Sequence, residues 1–154
     1  MTMSRVMAFA VFLLLPLSAL AQDCPDWHLT APKTIKASAD SLYQQYQTPM
    51  IAGGDVHLTS CTNVPGIGYM AKAPDLSLQY DDGGQGRLLD LRVQGDCDTT
   101  LLVNLPDGQY IFADDEDGLN PVMRIQAADS GLYDIWVGTI DAANCASILQ
   151  IETF

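Results

Sequence analysis

The stretch Leu76-Ser77-Leu78-Gln79-Tyr80-Asp81-Asp82-Gly83-Gly84-Gln85-Gly86-Arg87-Leu88-Leu89-Asp90-Leu91-Arg92-Val93 decides the fold class. Leu76, Leu78 and Tyr80 alternate with Ser77 and Gln79, and after the Asp/Gly cluster Leu89, Leu91 and Val93 alternate with Asp90 and Arg92. A period of two is the strand period, and an Asp-Asp-Gly-Gly run between two such segments is a turn. The same grammar continues to the C-terminus. Thr99–Leu105 meets Pro106-Asp107-Gly108, where Pro presets φ and Gly supplies a positive φ, and Gln109–Phe112 returns as the hairpin partner. Val122–Gln126 is the next expected strand. Asp129-Ser130-Gly131 turns into Tyr133, Ile135 and Val137, alternating with Asp134 and Trp136, and Ile148–Thr153 closes the domain. Each strand is expected to have one buried face. Short strands with frequent turn signals predict an all-β, jelly-roll-like antiparallel β-sandwich.

Upstream, Gln22–Ala73 is less regular. Val56-His57-Leu58-Thr59 reads as its clearest strand, and Ser38–Tyr43 as a helical turn or a loop. No Pro/Ser/Gly linker divides it from the rest, and a chain of this size is not expected to build two independent cores. A single domain is therefore expected over residues 22–154. Residues 1–21 read as a signal peptide: Arg5, an apolar run from Val6 to Leu17, then Ala19-Leu20-Ala21 as the cleavage site. The run is shorter than a membrane span needs, so no membrane insertion is expected after cleavage, and the mature protein is expected to be secreted or periplasmic.

Seven Lys+Arg against 19 Asp+Glu leave a net charge of −12, which repels nucleic-acid phosphate and anionic lipid and removes nucleic acid as a partner. Only Glu116 and Glu152 are Glu, so the acid sits almost wholly in Asp, a residue of turns, caps and hard-cation sites. Cys24, Cys61, Cys97 and Cys145 form an even set with no C-x-x-C, which in an exported chain argues for disulfides over a zinc or redox centre. Of three connectivities, the expected one keeps each bridge in its own half of the chain, Cys24–Cys61 with Cys97–Cys145.

The densest chemical feature is Asp114-Asp115-Glu116-Asp117-Gly118-Leu119-Asn120. Adjacent like charges repel unless a cation lies among them, and short Asp and Asn side chains suit calcium. Asp114, Asp115, Asp117 and Asn120 are the expected calcium ligands, with Asp98 assisting and Asp96 and Asp81-Asp82 as further candidates. A solvated acidic turn is the alternative. The EF-hand template fails, since its twelfth position lacks Glu.

Catalysis finds little footing. Any serine-peptidase base must be His28 or His57, no G-x-S-x-G is present, and no complete triad is visible. Asp129-Ser130-Gly131 matches one aspartic-protease tripeptide, but it occurs once and where a turn is wanted. Trp27, Tyr43, Tyr46, Tyr110 and Trp136 could make a sugar platform if they lined one face, although such residues more often pack.

Asp98–Val103, Pro106-Asp107-Gly108, Asp114-Asp115 with Asn120-Pro121, and Ser130–Gly138 resemble the bacterial pre-peptidase C-terminal domain over residues 75–154. The whole mature chain also resembles small exported alphaproteobacterial proteins that carry serine-peptidase names, through Ala52-Gly53-Gly54-Asp55, Pro65-Gly66-x-Gly68-Tyr69, Ala73-Pro74-Asp75 and Tyr133–Gly138. The resemblance implies a secreted jelly-roll-like sandwich that accompanies peptidases without being the catalytic unit, in some members binding calcium. It transfers no catalytic residue. The expectation is a non-enzymatic accessory or binding module with an unknown protein or peptidase partner; a small secreted peptidase and a carbohydrate-binding module are the alternatives.

Overall fold

The computed structural model describes residues 24–154, so the signal-peptide reading of residues 1–21 lies outside the described residues. The elements are β1 (Thr34–Ser38), β2 (Tyr46–Ala52), β3 (Val56–His57), β4 (Tyr69–Met70), β5 (Leu76–Asp81), β6 (Leu89–Gly95), β7 (Thr99–Asn104), β8 (Tyr110–Ala113), β9 (Val122–Ile125), β10 (Gly131–Thr139) and β11 (Cys145–Thr153). Two short 3-10 turns, Ser41–Tyr43 and Leu58–Ser60, complete the set. Every strand expected from Leu76 onward is present.

The strands form a sandwich. One sheet has β10 as its hub: Gly131–Ile135 pairs with β5, Asp134–Thr139 with β7, and Thr139 with Tyr69 of β4. The other sheet runs β2-β11-β6-β9, all antiparallel. Between them lies the main core, which includes Leu76, Leu78, Tyr80, Leu89, Leu91, Leu101, Val103, Tyr133, Ile135, Val137, Leu149 and Ile151. These are the apolar members of each alternating run, so sequence parity decides which face points inward.

Four departures from expectation have physical causes. First, β7 and most of β10 are buried on both faces, not one. On the outer side of that sheet, Leu102 and Trp136 join Leu58, Val64 and Met70 in a second apolar cluster, with Cys24, Cys61, Tyr110 and Phe112 packed against it. Residues 56–70, bridged to Cys24, thus form a cover over the sheet. The two clusters share that sheet and are not independent cores. Gly66 shows how closely the cover fits: its φ is +111°, and a Cβ there would lie 2.3 Å from Cδ2 of Phe112. Second, the strand expected over Val56–Thr59 stops at His57, where the chain enters the 3-10 turn. Third, β1 and β2 are strands that the hydropathy pattern does not signal, although β2 alternates in burial. Pro49 lies within β2 opposite Ile148, which the strand can hold because it is at a sheet edge. Fourth, β1 pairs with β5 in parallel, so the sandwich is not purely antiparallel. A parallel pair needs a long crossover, and here the chain passes through β2, β3 and β4 before reaching β5.

Both disulfides have the expected partners, with Cα separations of 5.8 Å for Cys24–Cys61 and 6.3 Å for Cys97–Cys145. The first ties the cover to itself. The second ties the β6–β7 connection to the start of β11. Such bridges belong to an oxidising compartment, which is where an exported protein folds. No helix among the described residues is long and apolar enough to cross a membrane.

Asp75, directly before β5, is a half-buried carboxylate bonded to the hub strand. Its Oδ2 accepts the Val137 amide at 2.8 Å, and burial pushes its carboxyl up from 3.8 to about 6, the Val137 hydrogen bond pulling the other way. Between those values the unfolded chain has already released a proton that the folded chain still holds. Stability is therefore greatest below about pH 4 for this group and falls as pH rises through 6. Asp75→Asn keeps an amide acceptor and removes the charge. It should flatten this part of the pH–stability curve and raise stability at pH 7 by no more than about 3 kcal/mol; a variant curve parallel to wild type would show that Asp75 titrates normally. Replacing Cys24 and Cys61 together with Ala should cost about 4 kcal/mol in the chain-entropy account of a loop this long. Denaturant midpoints measure that loss, and an unchanged midpoint would mean that packing alone holds the cover.

Candidate cation site at one end of the sandwich

The β7–β8 hairpin brings the acidic residues together. Asp98 stands directly before β7 and Asp114 directly after β8, and the pairing Leu101–Ala113 puts both at the same end of the hairpin. The loop that follows is closed by Asp117 and Asn120, whose backbones exchange hydrogen bonds of 2.9 and 3.2 Å. It is then pinned across the sandwich. The Thr99 amide donates to the Leu119 carbonyl at 3.0 Å, and the Asn120 side-chain oxygen accepts the Gly95 amide at 2.9 Å and the Thr99 hydroxyl at 3.0 Å. The Ile140 amide donates to the Asp98 carbonyl at 3.1 Å, and the Cys97–Cys145 bridge holds the preceding residue.

The result is a carboxylate cluster. One oxygen each from Asp98, Asp114 and Asp115 lies within 4.8 Å of the others. Oδ1 of Asp98 and Oδ1 of Asp114 are buried and accept no hydrogen bond. Asp115 holds φ at +44°, a conformation that Asp tolerates and most side chains avoid. Loss of water, followed by the charges of Asp115 and Asp141, raises the Asp98 carboxyl; loss of water, followed by Asp115 and Asp98, raises that of Asp114. Both raising effects are those that a cation would reverse.

The other expected ligands go elsewhere. Asn120 uses its amide oxygen to clamp the loop, and Asp117 lines a different depression beside Arg92, Gln94 and Gln150. Glu116 turns to Arg124, Nη1 to Oε1 3.0 Å. Arg124 in turn reaches the buried Asp90, as does Arg92, which also approaches Glu152. Both glutamates of the chain are thus taken up by arginines. Asp96 is exposed and is not among the three clustered carboxylates. Asp81 and Asp82 serve their own turn: the Gly83 amide donates to Asp81, and the Gly86 and Arg87 amides donate to Asp82, the Gly86 bond being the main cause of its lowered carboxyl.

The triad residues are not assembled. His28 Nδ1 meets Asp26 Oδ1 at 2.8 Å, while His57 Nδ1 meets the Thr59 hydroxyl at 2.8 Å and its ring lies against Tyr69. Ser130 accepts the Asp82 amide at 2.8 Å and stands 3.5 Å from Asp81 Oδ1. Among the described residues neither imidazole touches a serine. The aromatics do not form a shared platform either. Trp136 is fully buried, Tyr43 lies under Arg87, Tyr46 lies under Lys33, and Trp27 stands exposed beside His28.

No family model and no curated protein matches the sequence. Five solved chains are similar in shape, among them the following two. PliG of Aeromonas hydrophila, a periplasmic lysozyme inhibitor of g-type lysozyme, shares 14% identity at a TM-score of 0.45, covering 79% of this chain and 98% of that one. The pre-peptidase C-terminal domain of collagenase from Bacillus anthracis shares 10% identity at a TM-score of 0.41, covering 82% of this chain and 100% of that one. Likenesses this distant assign no site, and the sandwich stands on the strands and pairings described above.

Proposed function

We propose that this is an exported, non-catalytic β-sandwich binding module that holds a calcium ion between Asp98, Asp114 and Asp115 and works with a protein or peptidase partner. The observation that carries the cation is the pair of buried, unpartnered oxygens, Asp98 Oδ1 and Asp114 Oδ1, beside a third carboxylate within 4.8 Å. A buried carboxylate oxygen with no donor is costly, and a cation supplies what is missing. The donor set is all oxygen, which suits a hard ion. All described cysteines are in disulfides, which argues against zinc. Calcium accepts irregular oxygen cages more readily than magnesium, and a loop with one strained residue and an exposed rim is irregular.

The bound ion would cancel like charges at the junction of β7, β8 and the 114–120 loop, so its role is to fix a surface for binding. Export is supported by the two disulfides and the leader-like N-terminal sequence. The absence of an imidazole–serine contact among the described residues leaves the peptidase reading without a favouring observation.

Open extracellular calcium sites bind at about 10⁻⁴–10⁻³ M. At tenfold the dissociation constant the linkage amounts to about 1.4 kcal/mol, so residues 22–154, brought from EDTA into millimolar calcium, should melt about 4 °C higher, with a smaller rise in magnesium. Asp115→Asn should do two opposite things: raise the melting temperature in EDTA, by removing a like charge beside Asp98 and Asp114, and abolish the calcium response. A variant that still responds as wild type does would move the ion elsewhere. A wild-type protein indifferent to calcium would return the loop to a solvated acidic turn.

A further inference from the structure

On the outer face of the hub sheet, beside the Cys24–Cys61 bridge, the cover leaves an open groove of about 390 Å³, bordered by Asp26, Trp27, His28, Asn63, Lys72 and Tyr110. We infer that this groove is a saccharide-binding subsite with Trp27 as its stacking platform, which names a ligand class for the binding module proposed above and does not involve the cation.

The first argument is the placement of Trp27. The chain has two tryptophans; Trp136 is fully buried in the cluster under the cover, whereas Trp27 keeps 42% of its surface exposed although it stacks on His28 at 3.8 Å. Folding alone gains by burying so large an apolar side chain, so an exposed one held in place is a recognition feature.

The backbone that carries it is held in place. Cys24 is bridged to Cys61, the carbonyl of buried Pro25 accepts the Tyr110 hydroxyl at 3.0 Å, and the Asp26 amide donates to the Lys72 carbonyl at 2.9 Å. The Leu29 amide closes the turn on the Asp26 carbonyl at 3.1 Å, and Asp26 Oδ1 accepts both the backbone amide and Nδ1 of His28. Tyr110 itself leans on Trp136 at 5.8 Å, so the groove floor is continuous with the second apolar cluster. A platform fixed this firmly loses little entropy when a ligand settles on it.

The rim selects the ligand class. A pyranose ring offers one flat apolar C–H face and a circumference of hydroxyls that both donate and accept. Around Trp27 stand a carboxylate acceptor (Asp26) and an exposed carboxamide that both donates and accepts (Asn63). That set matches hydroxyls. It does not match an anionic sugar, which lacks a cationic cluster here and meets a chain of net charge −12, or an aliphatic ligand, which needs an enclosed apolar cavity.

The test uses the disulfide-intact protein, residues 22–154, in EDTA, so that it is separate from the cation. Cellotetraose and chitotetraose are the neutral probes and tetragalacturonate the anionic one. Binding by at least one neutral probe should saturate in the millimolar range, with a blue shift in tryptophan emission from Trp27; tetragalacturonate should give none. By calorimetry, Trp27→Ala should weaken binding about tenfold or more with the melting temperature preserved, and Asn63→Ala, a change at an exposed rim position, should weaken it less. No saturable response to either neutral probe, equal affinity for tetragalacturonate, or undiminished binding by both variants would overturn the proposal. The calcium response is expected to persist in Trp27→Ala, and groove binding in Asp115→Asn, so failure of one reading leaves the other to stand on its own data.

Discussion

Strand β10 has to bury both of its faces, and the rest of the structure follows from how that is done. Tyr133, Ile135 and Val137 point into the space between the sheets, where β5, β6, β7 and β11 supply partners. Trp136 points the other way. A large indole on an outer sheet face needs a lid, and residues 56–70, bridged to Cys24, provide one with only the two-residue strands β3 and β4. Because that segment is short of regular hydrogen bonding, its order depends on cross-links: the Cys24–Cys61 bridge, Gly66 pressed against Phe112, and the Tyr110 hydroxyl on Pro25.

Charge is the second organising constraint. A chain this acidic must either expose its carboxylates or give them partners. Asp82 is surrounded by the amides of its own turn, Asp134 accepts from the Ser77 hydroxyl, and Asp90 sits between Arg92 and Arg124. Asp75 is half-buried, accepts the Val137 amide and has its carboxyl raised by loss of water. Asp98, Asp114 and Asp115 differ from all of these in facing one another, and that contrast makes their cluster the natural place for a missing cation.

The strands from Leu76 onward were legible because each has a core face at a period of two, and the disulfide pairing because the four cysteines divide evenly between two halves. β1 and β2 were not legible, since Thr34–Ser38 is half exposed and Pro49, which argues against a strand, lies in the middle of β2. The candidate site was legible in part. Asp98, Asp114 and Asp115 were named from composition and come together, whereas Asp117 and Asn120, equally plausible from their spacing, turn away. Nothing local distinguishes them. Asn120 is drawn off by Gly95 and Thr99, more than twenty residues earlier in the chain.

What the sequence by itself determined is therefore everything that rests on local periodicity and covalent chemistry: an all-β chain, the positions of its later turns, an acidic surface, and cysteines suited to an oxidising compartment. Only the tertiary structure decided which acids meet, that Trp136 is covered while Trp27 is not, and that the hub sheet has apolar clusters on both sides. The physical reason is the same in each case. A side chain's direction within a strand is set by backbone parity, but in a loop it is set by hydrogen bonds and packing to segments distant in sequence, and those partners are not written beside the residue they orient.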